Sequence, residues 1–303
     1  MNAENKAHNQ WREWNAQGFI PGPEESENAF QERVVFCQNL IENLKQVGAE
    51  LPFEVQDDSS KKIIEEALPF TQKLYGIQPQ WVPLFFSNHQ LAPWHGGCAW
   101  IFQFNDQTPT AAFLQLRAHF RHSLNLLGIY QRRELIAHEL AHVGRMLYQE
   151  PQFEEIFAYQ SSPSRWRRWL GPIVQSSKES LFFILLLGLV LMTDLALLSG
   201  GPQMAFLAWG VKLLPFIVIA LALGRLIIRH RTLQRCLQNL EVLYSPENAQ
   251  HLLYRLRDHE IKQLSRVSPL EIQKFMHEAA QHSFRWHFLK ILYPSFTHFI
   301  SSS

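Results

Sequence analysis

The chain has 303 residues, 47% of them hydrophobic, with 28 Lys and Arg against 27 Asp and Glu. Its three cysteines, Cys37, Cys98 and Cys236, lie far apart, which excludes a disulfide framework and suits a reducing cytoplasm. The near-neutral total hides a division: residues 1–160 carry a net −7 and residues 161–303 a net +8.

The first twenty residues are polar and show no apolar core of a secretory signal. Pro21-Gly22-Pro23 makes an early turn. Ser26 to Gln46 reads as one amphipathic helix through Phe30, Val34, Val35, Cys37, Leu40, Ile41 and Leu44, stopped by Gly48. Lys61 to Tyr75 reads as a second helix, broken or kinked at Pro69. His95, before the Gly96-Gly97 turn, could face the site, although a loop histidine is more often just solvated. Cys98 to Phe104 alternates, with Trp100, Phe102 and Phe104 on one face, and the spacing predicts a strand. Asn105 to Pro109 is rich in turn formers, and Thr110 to Arg117 reads as the second strand of a hairpin.

A helix is expected over Tyr130 to Tyr148, where Leu135, Ile136, Leu140, Val143 and Leu147 recur at helical spacing. It carries His138-Glu139-Leu140-Ala141-His142. Histidines four apart share one helix face, so both imidazoles can reach one metal ion, with the glutamate beside a water on that ion. This is the HExxH arrangement of zinc hydrolases. Gln149-Glu150-Pro151 breaks the helix, and a second helix begins at the proline. It returns antiparallel and brings Glu154 and Glu155 near the level of His142. Either can be the third ligand; Glu155 is favoured, because the small Ala158 in Glu-x-x-Ala lets the two helices pack closely.

These residues resemble the gluzincin branch of the zincin metallopeptidases, over roughly residues 80 to 160. The resemblance implies an α+β catalytic domain with bound Zn2+. It makes His138, His142 and Glu155 the metal ligands and Glu139 the general base. It also implies hydrolysis of a peptide or protein substrate that adds as a strand beside the site. The gap from His142 to the glutamate is shorter than in thermolysin-like members. The acidic or amide residue that in such enzymes often follows the third ligand and supports a histidine is not evident; Tyr159 stands nearby instead and is a candidate oxyanion donor.

Leu181 to Ser199 and Met204 to Gly224 are apolar runs close to the roughly 20 residues that span a bilayer. Each has one charge, Asp194 and Lys212, at matching depths for a pair. Gly200-Gly201-Pro202-Gln203 joins them as a hairpin. Arginines and a lysine flank both outer ends and none lies in the connection, so the positive-inside rule puts both termini and the metal motif in the cytoplasm. The basic half then faces anionic membrane lipid. Nucleic acid is disfavoured as a partner, because the bases cluster beside the apolar spans.

Ser245-Pro246-Glu247 and Ser268-Pro269-Leu270-Glu271 each start a helix. Phe284 to Lys290 is basic and aromatic and suits either a membrane interface or a core. The expected organisation is a zincin-like domain over 1–160, a basic linker over 161–180, a membrane hairpin over 181–228 and a helical region over 229–303 that packs back on the first domain. Two other classes fit the same residues: a membrane adaptor with a structural metal, and a membrane-shaping or transport component working through Asp194 and Lys212.

Overall fold

Short helices come first, and side chains that compete with the backbone set their lengths. A computed structural model describes residues 3–46, 48, 58–92, 95–126, 130–175, 177–197 and 203–295. Helix α1 spans Ala3–Ala16. Ser26 caps α2 (Glu27–Gln38) by accepting from the Ala29 N–H. The single helix expected over Ser26 to Gln46 is in fact two, α2 and α3 (Leu40–Gln46). The break is at Asn39, whose amide donates to the Val35 carbonyl, a local bond that offers the backbone an alternative to the helix. Lys61 to Tyr75 likewise falls into α4 (Asp58–Glu65) and α5 (Leu68–Tyr75), with Pro69 in the first turn of α5. Proline lacks the N–H that a continuous helix would need there.

The expected hairpin is present as β2 (Gly97–Phe102) and β3 (Ala111–Leu116), paired antiparallel from Gly97↔Leu116 to Phe102↔Ala111. A third strand, β1 (Leu84–Phe86), pairs parallel to β3 and places it at the centre. Every residue of β3 is buried. Leu114 donates to the Pro83 carbonyl and Leu116 accepts from Ser87, so these two turn their backbone groups toward β1. By alternation Phe113 and Gln115 bond to β2. In β2 this leaves Gly97, Ala99 and Ile101 with backbone groups on the open edge, and that edge lies against the metal-motif helix.

The connection to that helix holds a 3-10 turn (Ala118–Arg121) and a minimal hairpin of β4 (Asn125–Leu126) and β5 (Tyr130–Gln131). Helix α6 (Arg132–Gly144) is shorter than expected at both ends, and α7 (Pro151–Tyr159) packs against it. Gly144 is required at the close of α6: a Cβ there would lie 2.2 Å from the Tyr254 hydroxyl.

A six-residue helix, α8 (Arg165–Leu170), precedes two long apolar helices, α9 (Ser177–Leu197) and α10 (Gln203–Glu241). Both are long and apolar enough to cross a membrane, over Lys178–Leu197 and within Trp209–Glu241. They pack on each other and leave Phe182, Leu185, Leu191, Phe216 and Leu221 more than half exposed, as lipid-facing side chains would be. Gly200-Gly201-Pro202 lies outside the described residues. Asp194 and Lys212 pair at 2.7 Å across the hairpin. At 39 residues α10 is about 59 Å long, roughly twice the bilayer core. Its far half leaves the apolar zone and buries Leu233, Cys236 and Leu240 in the globular body.

The remaining helices close that body: α11 (Pro246–Tyr254), α12 (Asp258–Leu264), α13 (Pro269–His282) and α14 (Phe284–Leu292). Ser245 and Ser268 cap α11 and α13 as expected, the latter in a capping box with Glu271. Phe284 to Lys290 resolves to core packing: Trp286, Phe288 and Leu289 are buried, and Trp11 lies against Phe284, His287 and Phe288. One hydrophobic core runs from Trp11 through α6 and α7 to Tyr293. The segments before and after the apolar hairpin of α9 and α10 therefore share a single interior.

Candidate metal centre

Residues 134, 138 and 142 recur every four positions, so Glu134, His138 and His142 form a stripe on one face of α6. Its other faces bury Leu135, Ile136, Leu140 and Val143. α7 lies across the stripe and carries adjacent glutamates. Neighbours on a helix point about 100° apart, so the two carboxylates take different positions. Glu155 sits between the histidines, with its oxygens 3.7 Å from His138 Nε2 and 3.6 Å from His142 Nε2. Glu154 reaches the far side of the second ring and meets His142 Nδ1 at 2.9 Å.

Ligand atoms of His138, His142 and Glu155 all lie within 4.8 Å of one another. Two donors each about 2.1 Å from a tetrahedral zinc are roughly 3.4 Å apart. The two glutamate–histidine separations exceed this by a few tenths of an ångström, and two imidazoles with one carboxylate form a donor set that zinc accepts. The outer contacts also fit. Glu154 holds the His142 ring, and the Ala158 carbonyl accepts from the His138 ring; ligating histidines are commonly oriented in this way. The supporting acid thus exists, one residue before the candidate ligand. The doublet Glu154-Glu155 was the sequence signal for it.

The electrostatics favour a cation at this point. Burial, with the neighbouring His142 charge, pushes His138 down to about 3. Burial pushes His142 down as well, but the hydrogen bond to Glu154 and the charges of Glu155, Glu154 and Glu139 outweigh it and raise it to about 9. Three carboxylates surround that ring, and a proton or a metal ion answers them.

Glu139 is buried beside the stripe. Burial pushes its carboxyl up to about 7, with Glu155 adding to the rise, His142 opposing it and the Ala99 N–H donating to it. That N–H is one of the groups on the open edge of β2. Tyr159 closes the other side, its ring edge-on to His138 at 4.8 Å between centroids. Burial and the nearby Glu155 push its phenol up to about 12, so it keeps its proton at neutral pH.

These groups line a cleft of 260 Å³, completed by His95, Cys98, Tyr130, Glu134 and Arg167. His95 therefore stands at the cleft, and is not simply a solvated loop residue. Arg167 reaches in from α8, pairs with Glu134 and lies over the Tyr130 ring. Neither Arg167 nor Glu134 was picked out from the sequence, where Arg167 reads only as one of several flanking arginines.

The base of the apolar hairpin is fastened to α7. Arg229 is buried and donates at 3.0 Å to the carbonyls of Gln152 and Pro172. Gln175 donates to the carbonyls of Pro151 and Gln152. On the body side, the Gln152 N–H donates to Asp258 at 2.8 Å, which supplies a partner to a first-turn amide that lacks one within the helix.

Comparison with protein-family models, with curated proteins and with solved structures finds no match to the chain.

Proposed function

We propose that this chain is a membrane-anchored zinc metallopeptidase that hydrolyses peptide bonds of a protein or peptide on the side of its arginine-rich flanks, the cytoplasm by the positive-inside rule. One observation carries the reading: His138 Nε2, His142 Nε2 and the Glu155 carboxylate converge on one point, with the buried Glu139 beside it.

In this reading His138, His142 and Glu155 hold the ion, and Glu154 fixes the ring of His142. A zinc ion bound there supplies an activated water and polarises the scissile carbonyl. Glu139 takes the proton of the attacking water and hands it to the leaving amine. The substrate lies extended along β2, where Gly97 and Ile101 turn backbone groups to the open edge for an added strand, while the Ala99 N–H between them is held by Glu139. Tyr159, protonated and next to His138, donates to the developing oxyanion.

The test is metal analysis of the purified full chain beside peptide hydrolysis. Wild type is expected to hold one zinc ion, and His142→Ala and Glu155→Ala to lose it. Glu139→Gln is expected to keep the ion and lose turnover. Full activity in Glu139→Gln refutes its role as base, and unchanged metal content in His142→Ala refutes the site.

A further inference from the structure

We infer that the cleft acts on polypeptide that has just left the bilayer, so that its substrates are membrane-embedded proteins engaged within about ten residues of a transmembrane helix. This rests on the peptidase reading of the cleft and adds where along a substrate it works.

The first support is the fastening of α7. Arg225 pairs with Glu179 at 2.8 Å, and this pair marks the charged collar where α9 and α10 leave their apolar stretch. Arg229 is one turn further, about 6 Å along α10. It holds the Gln152 carbonyl, and Glu155 is three residues beyond Gln152, about 4.5 Å along α7. Adding the reach of an arginine side chain, the candidate metal point lies within about 20 Å of the collar. An extended chain covers that distance in about six residues.

The second support is α8, which faces two ways. Its Arg167 enters the cleft and pairs with Glu134. Its Trp166 is 73% exposed and Trp169 42%, flanked by the exposed Arg165 and Arg168. The Trp169 ring stacks on His230, five residues or about 7.5 Å beyond Arg225 on α10. That is the depth of the headgroup layer outside a 30 Å core. Exposed tryptophans among arginines at this level, continuous with the exposed Val174, Leu181 and Phe182, form a surface for anionic headgroups. The bilayer is thus the occupant of this face, and it holds the cleft mouth against the membrane.

The third support is the open edge of β2 beside Glu139, which needs a partner already extended. A linker between a transmembrane helix and its soluble domain is such a chain; a folded domain is not.

The experiment uses the full chain in nanodiscs of phosphatidylcholine and phosphatidylglycerol. The probe is one transmembrane helix followed by an unstructured tail of about sixty residues, with a photo-crosslinking residue about five or about forty residues from the helix. Anchoring alone raises local concentration, so the comparison is made along one tail. With Glu139→Gln as the trap, the near position is expected to crosslink at least about tenfold more than the far one, and wild type to cut within about ten residues of the bilayer. Equal crosslinking and cuts spread along the tail overturn the inference and leave the peptidase reading standing. Near crosslinking with no cut by wild type supports the placement and overturns the peptidase reading. A Trp166→Ala/Trp169→Ala variant is expected to keep its metal and spread its cuts outward; an unchanged cut pattern overturns the role of α8.

Discussion

His142 Nδ1 and the Glu154 carboxylate meet at 2.9 Å, on the side of the ring opposite the nitrogen that faces Glu155. The ring is thereby fixed in the orientation that points Nε2 at His138 and Glu155. Loss of such an outer partner typically costs 10–100-fold in metal affinity. Glu154→Ala is therefore expected to weaken zinc binding by about that factor, and Glu155→Ala by more, since it removes a donor. Competition with a chelator of known affinity measures both. Unchanged affinity in Glu154→Ala would show that the bond does not hold the ring.

Glu139→Gln keeps the volume and the Ala99 contact but cannot take a proton. Turnover is expected to fall by about 10²–10⁴-fold with zinc content unchanged. Parallel metal analysis and single-turnover cleavage separate the two. A variant that lost its metal as well would make Glu139 a structural residue.

The sequence exposed the HExxH helix because helical spacing and two histidines four apart need no tertiary information. It also placed the two long apolar helices and the caps at Ser245 and Ser268, which are local signals. What it missed depends on contacts between distant segments. Strand β1 has three residues and no alternation to read. The division of labour between Glu154 and Glu155 follows from how α7 crosses α6, which one helix cannot reveal. Arg167 and Arg229 read as membrane flanks, yet one enters the cleft and the other clamps α7. The break at Asn39 was hidden because the apolar spacing continues through it.

Gly144 and Tyr254 test the packing behind α6. The Tyr254 hydroxyl donates to the Ala141 carbonyl at 2.6 Å, and a Cβ at position 144 would collide with it. Gly144→Ala is expected to cost about 1–3 kcal/mol. Combined with Tyr254→Phe, it should cost less than the sum of the two, with a coupling of at least about 0.5 kcal/mol. Urea unfolding of the full chain in detergent gives the cycle; simple additivity would mean that the two groups do not touch.

The pH dependence of stability carries the mark of His251. This ring is buried against Gly76, and burial, together with the Arg255 charge, pushes its pKa below the ordinary 6.5. Above 6.5 neither the folded nor the unfolded chain protonates it, and its full contribution is present. As pH falls below 6.5 the unfolded chain takes up a proton that the folded chain refuses, and stability is lost until the folded value is reached. His251→Gln is expected to flatten the unfolding profile below pH 6.5; an unaltered slope would assign the acid sensitivity elsewhere.

The shared interior imposes an order of assembly. Tyr254, which secures the Ala141 carbonyl, follows it by 113 residues, and Leu256, whose carbonyl accepts from Arg145, follows that residue by 111. The whole hairpin lies between them. On the ribosome, α6 emerges long before these partners exist, and its back stays open to water until the chain beyond α9 and α10 has been made. A nascent chain thus completes the packing behind its candidate metal centre only after both long apolar helices have been synthesised.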